Sequence, residues 1–250
     1  MAPTPLTALL ASGVPPDRAQ RLSRRLGLPC RPAPADAGSR TAVLLSDGGS
    51  CAPDLWLRPF AAWIEVGPLS DGELEAVLAA AAAADLFASF TTASANRLHL
   101  AGRIVAAVAE RRDLSDAQRD DMELALHEAI SNAVVHGNLQ VEGMKGLSVA
   151  ALDRFSAELA TRMADPAYAG RRVVVQSWLE PLATVVEVAD EGTGYPSGRS
   201  PARPADRPPG GRAGNGGSNA SGRGLDLIAA IAQSYELLDD GRRIRMRFRP

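Results

Sequence analysis

Residues 123–138 read ELALHEAISNAVVHGN, and this stretch decides the fold of the larger part of the chain. Met122, Ala125, Leu126, Ala129, Ile130, Ala133 and Val134 recur at three- and four-residue intervals, the spacing of one apolar helix face. A stripe of this width calls for a sheet to pack on. Glu128, Asn132 and His136 follow one another at four-residue intervals in the same stretch. On a helix Glu128 and Asn132 stand only about 40° apart, beside the apolar stripe and not opposite it. An acid, an amide and an imidazole therefore border the buried face. The LSD at 114–116 marks the helix start, and Gly137 is expected to end it.

Working outward, Leu98, Ala101, Val105 and Val108 predict a preceding helix that stops at the charged ERRD. LSVAALDRFSAELATRM, from 147 to 163, predicts a peripheral helix. RRVVVQSWL, LATVVEVAD and IRMRFR read as strands; in the last, Ile244, Met246 and Phe248 alternate with arginines. Residues 96–250 thus predict an α/β sandwich with helices on one face of a mixed sheet. Residues 1–95 predict a small α/β domain. It holds an amphipathic segment from Asp17 to Leu26, strands in TAVLLSDGG and WIEV, and a helix over ELEAVLAAAAAADLF with Asp71 as cap.

Two further signals carry chemistry. In ADEGTGY, Asp190 shares strand parity with Val186 and Val188, so it faces the core and needs a hydrogen-bond partner. Gly192 and Gly194 follow it and allow a tight turn with close ligand approach. In SGRGLDLI, Gly222 and Gly224 are expected to precede a helix on which Leu225, Ile228 and Ala229 keep helical spacing, offering free N–H groups to an anion. Between these signals, residues 196–221 are too rich in Pro and Gly for regular structure. Lys145 is the only lysine, which excludes a P-loop.

The ordered set, ExxxNxxxHGN, then DxGxG after a strand, then GxGL at a helix start, resembles the GHKL (Bergerat-fold) ATPases, the family of gyrase, histidine kinases and MutL. Its ExxxNAxxHG form is most similar to the anti-sigma-factor serine/threonine kinases. The resemblance covers about 96–250. It implies ATP and Mg²⁺ as cofactors, Asn132 as metal ligand, Glu128 as general base, and Asp190 as acceptor for the adenine amino group. It further implies an adenine floor at Gly192 and Gly194, phosphate binding around Gly222, Arg223, Gly224 and Leu225, a supporting His136, and an ATP lid at 196–221. The implied partner is a protein: an anti-sigma antagonist, a sigma factor or another regulator. A homodimer is compatible with it. The chain departs from the pattern at Arg242 and Arg243, where a threonine near the adenine is common, and in the insert from Leu139 to Gly170.

Composition narrows the classes. A net charge of −2 gives no argument for nucleic acid. The N-terminus lacks a basic region and a long apolar run, so a cytoplasmic protein without a membrane partner is expected. Cys30 and Cys51 have no metal-ligand spacing and read as reduced thiols. Two alternatives stay open beside a kinase: a non-catalytic, nucleotide-gated module that sequesters a regulator, and a histidine-kinase-like protein with His99 as phosphoacceptor. Asp47, ending a strand, suggests a degenerate receiver in residues 1–95, one without the receiver's lysine.

Overall fold

From Ala8 to Thr91 strands alternate with helices: β1 (Ala8–Ser12), α1 (Pro16–Leu26), β2 (Thr41–Leu45), β3 (Phe60–Glu65), α2 (Asp71–Ala82) and β4 (Leu86–Thr91). A computed structural model describes residues 5–31, 40–67, 69–143, 146, 148–194 and 220–249. The four strands pair in parallel in the order β1-β2-β3-β4. TAVLL and FAAWIE are buried at every position, the pattern of strands covered on both faces. This sequential order differs from the 2-1-3-4-5 order of doubly wound receivers.

Then come α3 (Thr92–Arg97), α4 (Leu100–Ala109), α5 (Asp116–Asn132), α6 (Val149–Ala164), α7 (Pro166–Ala169), β5 (Arg172–Glu180), β6 (Ala183–Asp190), α8 (Ala220–Ile231), β7 (Ser234–Leu238) and β8 (Arg243–Phe248). Here pairing is antiparallel, and β5 pairs with β4 from Leu86↔Ser177 to Thr91↔Arg172. One sheet of eight strands, β1-β2-β3-β4-β5-β6-β8-β7, therefore runs through the boundary expected near residue 95.

Strand parity assigns the two faces. Leu9, Ala42, Leu44, Ala62, Ile64 and Phe87 pack with Leu22, Leu74 and Leu78 of α1 and α2. On the other face Val43, Trp63, Phe90, Val175, Val186, Val188 and Met246 pack with Ile104, Leu126, Ala129 and Ile228 of α4, α5 and α8. In the antiparallel half, helices thus lie on one face of a mixed sheet, as the sequence predicts. The opposite face of that half carries an ion-pair ladder. Buried Glu187 accepts from Arg243 at 2.6 Å and meets Arg245 at 2.8 Å, while Arg247 pairs with Glu180 at 2.8 Å. The alternating arginines of β8 serve this ladder.

Local differences from the sequence reading have simple causes. Ser70, and not Asp71, caps α2: Glu73 N–H donates to Ser70 Oγ at 3.3 Å and Ser70 N–H to Glu73 Oε2 at 2.7 Å, a capping box. The helix ends at Ala82, because LFASFT is claimed by β4 between two partner strands. Alanine propensity carries the expected helix to Phe87, five residues too far. Both cysteines are free; Cys30 is exposed, while burial raises the Cys51 thiol to about 11.

Candidate functional site

Helix α5 is the spine of the site. A capping box starts it, with Gln118 N–H donating to Ser115 Oγ and Ser115 N–H to Gln118 Oε1. Its apolar stripe, Met122, Ala125, Leu126, Ala129 and Ile130, is buried, and Glu128 and Asn132 sit half-buried along its edge. The helix does not stop at Gly137. It widens into a π-helical turn over Ala133–Asn138, with Leu139 N–H donating to Val134 O at 2.9 Å. Such turns are frequent at functional sites because the wider ring redirects side chains. Here it brings Gly137 and Asn138 against the end of β6 and the residues after it.

Asp190 closes β6 on the core-facing parity, as expected. Among the described residues its carboxylate accepts one hydrogen bond, from Gly192 N–H at 2.8 Å. Burial raises its pKa to about 6, opposed by that hydrogen bond and by the charges of Arg242 and Arg171. A partly buried carboxylate with one hydrogen bond among the described residues has acceptor capacity left for a further donor. Gly137 lies directly beneath it. A Cβ there would stand 2.5–2.6 Å from both carboxylate oxygens, so only glycine admits Asp190 at this place. Gly194 takes a left-handed φ of 80° facing Asp240 and Arg242.

Helix α8 reaches the other end of the site. A Cβ on Gly224 would fall 2.7 Å from Glu128 Oε2 and 3.3 Å from Asn132 Nδ2. The glycine lets α8 rest on the polar edge of α5. The helix starts at Ala220, earlier than the sequence suggests, so Gly222 and Arg223 lie in its first turn and Gly224 just after it. The close packing required at Gly224 outweighs the low helix propensity of two glycines. N–H groups of a first turn have no acceptor within the helix, and that of Gly222 is among them. Leu225 and Ile228 anchor α8 in the core. Residues 196–219 of the expected lid lie outside the described residues; Ala220 and Ser221 open α8.

His136 supports the turn. Its Nδ1 lies 2.7 Å from Val141 O, and since a carbonyl only accepts, Nδ1 carries the proton. Arg242, one of the two departures from the expected pattern, flanks Gly194; Arg243 points away into the Glu187 ladder. His99 is the exposed N-cap of α4. Sequence reasoning missed Asn138, Arg171 and Glu191. Asn138 was visible as the last letter of HGN, but its partners are scattered over Thr92, Arg172 and Glu191.

Among the described residues no helix is long and apolar enough to cross a membrane, and no group of three or more His, Cys, Asp and Glu could hold a metal. A comparison with curated proteins returns no match. The model of the histidine kinase-like ATPase domain matches residues 91–248, which span α5, the π turn, Asp190 and α8. With more than half its length covered, the chain belongs to the histidine kinase-like ATPase domain family.

Proposed function

We propose that the chain is a Mg-ATP-dependent kinase that phosphorylates a serine or threonine of a regulatory partner protein, in the manner of anti-sigma-factor kinases. The observation that carries this reading is Gly224, which sets the start of α8 against Glu128 and Asn132. Donors for phosphate, a metal ligand and a base then share one end of the site. Asp190 occupies the other end, over Gly137, which lies nine residues beyond Glu128 along α5 and its π turn, a span of roughly 13 Å at helical rise. Adenine at the Asp190 end and phosphates at the Glu128 end fit that strip.

The donor set suits Mg²⁺ as well. This ion keeps several waters and takes phosphate oxygens, so the side-chain oxygen of Asn132 would hold it together with water and the phosphates. When bound it neutralises charge on the phosphates. The protein's own groups do the rest. Glu128 orients the partner hydroxyl and takes its proton as the oxygen attacks the γ-phosphorus. The bond from that phosphorus to the β–γ bridging oxygen breaks, and ADP leaves. N–H groups of the first turn of α8 stabilise charge on the phosphates. Asp190 accepts from the adenine amino group.

Glu128→Gln keeps the side chain's size and removes its basicity. Nucleotide binding should persist while transfer from labelled ATP to a cognate partner falls by about 10²–10⁴-fold. Equal transfer by wild type and variant would remove Glu128 from the role of base. A wild type that binds a partner only with nucleotide, and transfers nothing to it, would identify a sequestering module instead.

A further inference from the structure

Asn138 ties three separate segments of the chain to its own. It is fully buried, and its Nδ2 donates to Thr92 Oγ1 at 2.8 Å and to Arg172 O at 2.9 Å. Its Oδ1 accepts from Glu191 N–H at 2.7 Å. These partners fix the amide's orientation, because a carbonyl only accepts and a backbone N–H only donates. The main-chain carbonyl of Asn138 accepts from Arg171 Nη1 at 2.6 Å. Arg171 in turn lies over the Tyr168 ring at 4.7 Å, with Arg162 on the same ring at 4.4 Å. Thr92 closes the circuit by donating both its N–H and its hydroxyl to Arg171 O, at 2.7 and 2.8 Å.

The chain neighbours of these atoms are site residues. Gly137 precedes Asn138 and lies beneath the Asp190 carboxylate. Glu191 follows Asp190 and precedes Gly192, whose N–H holds that carboxylate. One buried amide therefore sets the separation of the floor from the acceptor above it. We propose that Asn138 is a positioning residue that sets purine selectivity by fixing Asp190, and that Arg171, stacked on Tyr168, braces it from the side of the 148–170 helices. This rests on the reading of Asp190 as the base-facing acceptor.

Adenine presents an amino donor where guanine presents a carbonyl. An anionic acceptor at a fixed place favours the first and repels the second, and sites built on such a hydrogen bond discriminate strongly. A carboxylate free to turn away accommodates both. Loss of the clamp should therefore narrow the difference between ATP and GTP. A merely structural residue would weaken both nucleotides alike.

The test uses the full chain with Mg-ATP and Mg-GTP competing against a fluorescent ATP analogue. Wild type, Asn138→Leu, Arg171→Met and Asp190→Asn are compared, with thermal unfolding run alongside. The ATP-to-GTP affinity ratio should fall about tenfold in Asn138→Leu and about threefold in Arg171→Met. Arg171 is only half-buried, so Arg171→Met keeps the test open if Asn138→Leu does not fold. An unchanged ratio in whichever of these two folds, or equal weakening of both nucleotides, would overturn the proposal. Asp190→Asn separates the two layers of argument. If its ratio collapses while the other variants keep theirs, only the positioning role fails; if its own ratio is unchanged, the assignment of Asp190 fails and the proposal with it.

Discussion

Asp190→Asn should make the nucleotide-free protein more stable while impairing nucleotide binding, and the gain should depend on pH in a defined direction. Burial raises the carboxyl from 3.8 to about 6. The folded state therefore holds its proton to higher pH than the unfolded chain does. Below about pH 4 both states are protonated and the group is neutral to stability. Between there and pH 6 the unfolded chain ionises first, so wild-type stability falls as pH rises; above pH 6 the loss is complete. A rise of this size corresponds to ~3 kcal/mol, and residual solvent contact reduces the expectation to ~2 kcal/mol. The amide still accepts from Gly192 N–H and removes the charge. Urea unfolding of both proteins from pH 4 to 8 measures the effect as a difference in which other titrating groups cancel. A difference that grows in favour of Asp190→Asn up to about pH 6 and then levels off is expected. Parallel stability curves, or a relative gain by wild type at high pH, would refute the claim that Asp190 is held desolvated against Gly137. Arg242 and Arg171 from the flanking segments and Glu191 beside it are the other charges in reach, and none changes in the comparison.

The remaining predictions address the phosphate end, the pH response of binding and the open sheet face. Gly224→Ala places a methyl 2.7 Å from Glu128 Oε2, an overpacking worth about 1–3 kcal/mol; calorimetry should find Mg-ATP affinity down about tenfold, and an unchanged affinity would separate α8 from the nucleotide. Lowering pH from 7 through 6 should weaken ATP binding to wild type as Asp190 is protonated, and the dependence should flatten in Asp190→Asn; equal profiles would contradict the acceptor role. Glu187→Ala strands Arg243 and Arg245, which keep enough solvent contact to rehydrate, so a loss of about 1–2 kcal/mol in urea unfolding is expected. No loss at all would mean that the ladder only decorates the sheet.

Much of the site was legible because its parts obey local rules. The i, i+4 spacing of Glu128 and Asn132 beside an apolar stripe needs nothing beyond helical geometry, and the parity of Asp190 with Val186 and Val188 needs only the period of a strand. What escaped depends on non-local pairing. The π turn is invisible in AVVHGN because ordinary helix residues form it, and the contact that favours it, Gly137 under Asp190, joins residues 53 positions apart. The start of α8 was misplaced for the same reason: two glycines read as a break until α5 is laid against them. Strands β1, β4 and β7 were overlooked, and β4 in particular borrowed the helix signal of the alanines before it.

The continuous sheet changes how the first 95 residues relate to the site. Strand β4 ends at Thr91, and the next residue, Thr92, is the hydroxyl that Asn138 donates to. One residue earlier, Thr91 donates its N–H and hydroxyl to buried Glu65 at 2.8 and 3.0 Å, and Ser94 donates to the same carboxylate at 3.0 Å. Glu65 ends β3. The carboxyl ends of the parallel strands thus connect to the π turn through a short run of buried hydrogen bonds, with no flexible linker between them. Displacing β3 or β4 would strain these hydrogen bonds to Thr91, Thr92 and Asn138, because buried polar groups lose their partners at a cost of roughly 1–3 kcal/mol each. The parallel half is therefore mechanically part of the ATPase sheet, and its contribution to the site runs through hydrogen bonds that single hydroxyl deletions, Thr92→Val first among them, can interrupt without disturbing the core.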